Sequence, residues 1–163
     1  MIRIAGVLLA LAAGAATVPA PPSRPVAYRP PVEPLNLVRP FDAPATPYGP
    51  GHRGVDLAVR PGQLVRTAAP GTVTFAGSVA GRGVVVVAHA DGVRTEYEPV
   101  RAAVHTGTVV AADAVLGRVD GTHGSCAPDR CLHWGARRGT EYFDPLLLLA
   151  RLGRVRLVPW DGG

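Results

Sequence analysis

The chain of 163 residues and 16.9 kDa has room for one domain and a leader, but not for two full domains. Charged residues make up 18% and apolar residues 47%, which excludes wholesale disorder, while 20 Gly and 17 Pro without a fixed period exclude a helical bundle and collagen. All 17 basic residues are arginine, and the net charge of +5 suits an anionic partner; scattered singly except for the pair Arg137 and Arg138, they lack the basic stripe of a nucleic-acid interface.

In chain order, Arg3 followed by the apolar and small-residue run 4–16 reads as an export signal, residues 1–16, cleaved near Ala13-Gly14-Ala15 or Ala16. The alternative is an uncleaved anchor, for which the run is marginal in length, so membrane contact is expected only through this segment. Eight prolines in the 22 residues 19–40 exclude a helix or a central strand, and residues 17–40 are expected to form an extended, semi-rigid linker. The folded domain is then expected over 41–158.

Short β-branched runs separated by glycine turns follow. Strands are expected at 63–67, 72–76, 83–89, 93–97, 109–110, 115–119 and 132–136, with turns at Asp91-Gly92 and Asp120-Gly121. The unbroken apolar run 84–87 predicts a strand covered on both faces. Asp144 as cap, Pro145 in the first turn, leucines through 152 and Gly153 as stop predict one short C-terminal helix. The fold class expected is all-β, a twisted antiparallel sandwich or barrel-like core with that helix added.

Cys126 and Cys131, an even and close pair in an exported chain, are read as a disulfide contributing about 2 kcal/mol through loop closure. The alternative is a thiolate metal ligand, since Cys131 and His133 share one face of a strand. Among the histidines, His105 reads as a surface residue in a Thr-Gly turn and His89 as a structural hydrogen-bonding residue. His52 and Asp56 lie in Gly51-His52-Arg53-Gly54-Val55-Asp56, a curved loop or strand start whose side chains can turn to one point. With His133 they would make a three-ligand zinc site with its fourth position open to water, whose pKa zinc lowers toward ~7.

These residues sit within motifs that resemble the lysostaphin-type, or LytM-like, zinc endopeptidases of bacterial peptidoglycan. His52-Arg53-Gly54-Val55-Asp56-Leu57-Ala58 resembles the family's His-x-Gly-x-Asp segment, and Ala68-Ala69-Pro70-Gly71-Thr72-Val73 its Ala-x-x-Gly-x-Val turn and strand. Val86-Val87-Ala88-His89-Ala90-Asp91-Gly92 with Thr95-Glu96-Tyr97 resembles the central hairpin, the segments 107–110 and 116–119 the next two turns, and Cys131-Leu132-His133-Trp134 the terminal His-x-His strand. The resemblance implies an all-β core around a cleft, zinc held by His52, Asp56 and His133, and peptidoglycan peptides as substrate outside the cytoplasm.

Two departures stand against it. Cys131 replaces the first histidine of His-x-His, and Pro99 replaces the histidine expected two residues after Tyr97. Those histidines would orient the water and stabilise the tetrahedral intermediate, and losing one such donor costs ~10²- to 10³-fold in rate. Glu98 as base, His123 from the Gly121-Thr122-His123-Gly124 loop, and Tyr97 as donor are the candidate substitutes. Two functions are therefore expected as alternatives: a secreted, wall-associated zinc metallopeptidase, or a catalytically impaired zinc-binding module that binds wall peptides or regulates another wall hydrolase.

Overall fold

A computed structural model describes residues 25–46, 49–121, 126 and 130–149. The expected signal segment, the first residues of the linker, His123 and the tail after Leu149 lie outside the described residues. In chain order the elements are β1 (Leu37–Arg39), β2 (Gly54–Ala58), β3 (Leu64–Arg66), β4 (Gly71–Val79), β5 (Arg82–Ala88), β6 (Val93–Glu98), β7 (Val100–Ala102), β8 (Val109–Val110), β9 (Val115–Val119), β10 (Cys131–Arg138), β11 (Glu141–Phe143) and α1 (Leu146–Leu149). They form an eight-stranded antiparallel sheet, ordered β1-β2-β10-β6-β5-β4-β8 with β11 on β10, and a three-stranded sheet β3-β9-β7. The fold is all-β as expected, and it is an open sheet rather than a closed barrel.

Side chains alternate across a strand, so β2, β10, β6 and β5 each give one face to the core. Val55, Trp134, Tyr97 and Val85 occupy adjacent register positions and are fully buried, as are Leu57 and Leu132. The valine run of β5 divides in the same way. Val85 and Val87 enter the core, whereas Val84 and Val86 line the groove on the other face. The β4–β5 hairpin runs longer than the sequence predicted, because Ala80 (φ 48°) and Gly81 (φ 80°) make a two-residue turn with both φ positive, whose twist matches the strands. Strands β1, β2, β7 and β11 were not among those expected. At the C-terminus, Asp144 Oδ1 accepts from the Leu146 amide at 2.9 Å, which is the expected cap of α1.

The segment 25–40 is extended, as its prolines require, but it is packed against the domain rather than free. Tyr28 and Val32 are buried members of the main core, and Val26 packs against it. Arg29 N donates to Ala68 O at 2.7 Å, Arg66 N to Pro31 O at 2.9 Å, and Ala58 N to Asn36 O at 2.8 Å. Tyr28 Oη donates to Asp91 Oδ1 at 2.9 Å and its ring meets the edge of His89 at a 5.1 Å centroid separation. Proline removes donors but not carbonyls, and this strap meets the domain through carbonyls of Pro31 and Asn36 and through the remaining amide of Arg29.

Cys126 and Cys131 are bridged, with their Cα atoms 5.8 Å apart, and no free cysteine exists. A thiol assay on the denatured, unreduced protein is expected to read zero thiols per chain; two thiols would show the bridge absent in solution.

Candidate metal centre

Four strands meet at one row of side chains. Arg39 of β1 is paired with Asp56 of β2, Asp56 with His133 of β10, and His133 with Glu98 of β6. Partners directly opposite one another present their side chains to the same face, so one register line carries all four. His52 enters from the loop before β2, which the Asp42–His52 bridge fixes through two backbone hydrogen bonds of 3.0 and 2.7 Å.

The three expected ligands converge. His52 Nε2 lies 3.0 Å from Asp56 Oδ1 and 3.0 Å from His133 Nδ1, and His133 Nδ1 lies 2.9 Å from Asp56 Oδ1. Ligand atoms about 2.0–2.2 Å from a tetrahedral zinc stand roughly 3.3 Å apart, so this near-equilateral triangle has the size of one face of that tetrahedron. His52, Asp56 and His133 are 4%, 0% and 9% exposed, so a carboxylate with two imidazoles is gathered out of solvent, which favours a bound cation over the bare cluster. His52 Nδ1 donates to the Pro40 carbonyl at 2.7 Å, which leaves Nε2 as the unprotonated, ligating nitrogen. The donor set and its spacing fit zinc.

Glycine makes room for this cluster. A Cβ on Gly54 would stand 2.5 Å from the Trp134 carbonyl oxygen and 2.7 Å from the His133 ring. Gly54 is paired with Gly135, so beside the ligand row the sheet carries two adjacent positions without side chains. The disulfide seals the far side of the carboxylate, with the Cys126 sulfur 3.9 Å from Asp56 Oδ2. Cys131 is thus held in the bridge, and the ligand group contains no sulfur.

The remaining candidates divide. Glu98 faces the groove beside His133, where Arg82 Nε donates to its Oε2 at 3.3 Å. Tyr97, suggested as a donor, is on the opposite face of β6 and belongs to the core; the residues of a strand alternate, and Glu98 takes the groove side. Burial holds His89 below its ordinary pKa and therefore neutral. Its Nδ1 donates to Pro70 O at 2.9 Å, so Nε2 accepts from Thr95 Oγ1 at 2.7 Å. The Tyr97 hydroxyl then donates to Thr95 Oγ1 at 2.8 Å and accepts from the Ala68 amide at 2.8 Å. Every polar atom of that chain is used inside the core, and burial pushes the Tyr97 phenol pKa up. His105 sits in an exposed turn, its amide bonded to Thr108 Oγ1 at 3.3 Å.

The cluster opens into a groove of about 840 Å³. Phe75, Val79, Val84 and Val86 from the β4–β5 hairpin form its apolar wall, and Arg39, Arg53, Arg94 and Arg137 line it with Tyr142. Glu96 binds both Arg137 Nε, at 2.6 Å, and Tyr142 Oη, at 3.0 Å; burial and the Glu96 charge push the Tyr142 pKa up to about 12, so its phenol stays protonated. Sequence reasoning missed Arg39, Pro40 and Arg82. Pro40 acts through a main-chain carbonyl, which no side-chain pattern announces, and the two arginines arrive from strands distant in sequence.

Residues 50–145 match Peptidase family M23. An uncharacterized protein of Mycobacterium tuberculosis is 50% identical over 130 residues, covering 77% of this chain and 52% of its own length. The DD-carboxypeptidase/endopeptidase Mpg of Neisseria meningitidis is 35% identical over 96 residues, covering 58% of this chain and 22% of its own. Among solved structures, Helicobacter pylori Csd3 superposes with a TM-score of 0.56 at 30% identity, over 77% of this chain and 32% of that one. The chain spans about half the length of the mycobacterial relative it matches. The matched stretch is more than half of the chain and contains His52, Asp56 and His133, the group that could hold a metal, so the chain belongs to Peptidase family M23.

Proposed function

We propose that this chain is an exported zinc metallopeptidase acting on peptide cross-links of bacterial peptidoglycan. The observation that carries this reading is the buried triangle of His52, Asp56 and His133 at the end of an open groove. Zinc bound there would supply Lewis acidity and bring the pKa of a water toward ~7. The residues of the chain do the rest. Glu98, one strand from His133, is the base that takes the proton from the attacking water and passes it to the leaving amine. Arg82 holds the Glu98 carboxylate in place and brings positive charge to the groove where an oxyanion forms. His123 is the second proton-transfer candidate.

Support for a peptidoglycan substrate comes from the similarity to the Neisseria DD-carboxypeptidase/endopeptidase. Among the described residues no helix is long and apolar enough to cross a membrane. The second reading, a feeble enzyme that binds wall peptides or regulates another wall hydrolase, is favoured by the Cys126–Cys131 bridge and by Pro99, which supply no proton-transfer group.

Incubation of the protein with purified peptidoglycan is expected to release new amino groups, with release stopped by a zinc chelator and reduced about 10²-fold or more by Glu98→Gln. A folded, zinc-loaded protein that releases none would establish the second reading instead.

A further inference from the structure

The groove has a charge pattern that the metal does not require. Two glutamates line it, and each is already matched: Glu98 by Arg82 at 3.3 Å, Glu96 by Arg137 at 2.6 Å. Arg39 and Arg94 also line it, and no ion pair is found for either among the described residues. They stand at different distances from the cluster. Arg39 lies on the ligand row, opposite Asp56. Arg94 is opposite Arg137, four residues along β10 from His133, or about 14 Å at the ~3.4 Å rise of a strand. The groove between these rows is lined by Arg53, Glu96 and Arg137.

An open groove of about 840 Å³ has room for a short peptide, and the two arginines fix what that peptide must carry. Each of these two guanidiniums faces the cleft without a carboxylate of the described chain to neutralise it, so each can take an anion from a bound molecule. A guanidinium is built to take a carboxylate through two parallel hydrogen bonds. We propose that the groove binds peptides bearing free carboxylates, with Arg39 reading one beside the bond that is cut and Arg94 reading a second some two to four residues away. The inference rests on the peptidase reading and narrows it: acidic stem peptides are the substrate class, and uncharged or amidated peptides are discriminated against.

The test measures binding apart from cleavage. The probe is a fluorescently labelled stem tetrapeptide, alanyl-γ-glutamyl-diaminopimelyl-alanine, with its carboxylates free, compared with the same peptide amidated at every carboxyl. Anisotropy titrations use the whole zinc-loaded chain and its Arg39→Gln, Arg94→Gln and Arg60→Gln variants, Arg60 being an exposed residue outside the groove. Each groove variant is expected to weaken the acidic peptide about tenfold and to leave the amide unchanged, with zinc content and melting temperature intact; Arg60→Gln is expected to do nothing. Equal affinity for the two peptides, or an equal loss in Arg60→Gln, overturns the carboxylate reading while leaving the peptidase reading standing. Selective binding of the acidic peptide by a protein that releases no amino groups from purified peptidoglycan would support the carboxylate site and defeat the peptidase reading.

Discussion

His133→Ala is expected to abolish stable zinc binding, and Asp56→Asn to weaken it severely while preserving volume. The three ligand atoms stand 2.9–3.0 Å apart, so each is one corner of a single coordination face. Losing an outer hydrogen bond to a ligand costs ~10- to 100-fold in metal affinity; losing a ligand costs more. Zinc present at a thousandfold excess over its dissociation constant adds about 4 kcal/mol to stability, roughly 10 °C in melting temperature for a domain of this size. The wild-type chain should show that shift and His133→Ala should not. Equilibrium dialysis with metal analysis reads the affinity directly. An unchanged zinc stoichiometry in both variants would refute the assignment of the centre.

Deleting residues 25–40 is expected to have the second large effect, although this strap precedes the stretch that matches the family. Two losses combine. Tyr28 is a fully buried side chain, and removing a buried aromatic costs on the order of 3–5 kcal/mol, a large part of the stability of an ordinary domain. The Pro40 carbonyl also disappears from His52 Nδ1, freeing the imidazole to adopt the other tautomer. The milder variant Tyr28→Phe separates the effects. It removes only the hydroxyl bond to Asp91 and should cost about 1 kcal/mol with zinc affinity unchanged. A deletion variant that melts and binds zinc like the full chain would show the strap to be dispensable.

The strap shows where the sequence stops being legible. Its prolines correctly excluded helix and central strand, yet the same composition describes a free tether and a docked edge. Only tertiary partners distinguish them, and the one bonded to Tyr28, Asp91, lies 63 residues away in the chain. Strand β2 illustrates a different difficulty. The alternation of Val55 and Leu57 around Asp56 carries period two, but the flanking glycines disguised it as a loop. The glycine that obscured the strand is there because a larger residue would strike the His133 ring. The convergence of His52, Asp56 and His133 was readable because metal chemistry restricts the residue types and the family motif supplies their spacing. Arg39 and Arg82 had no such signal, since their roles depend on register across three strands.

The Cys126–Cys131 bridge also limits how this chain could change. Position 131 is where the resemblance places a histidine, so side-chain chemistry and cross-link compete for one residue. Cys131→His alone would break the bridge and leave an unpaired Cys126 with its sulfur 3.9 Å from Asp56 Oδ2, beside the centre. A thiolate there is a better zinc ligand than water, and under the peptidase reading it would take the position left for water. Recovering the histidine therefore requires a coordinated second change at Cys126, with a damaged intermediate between the two.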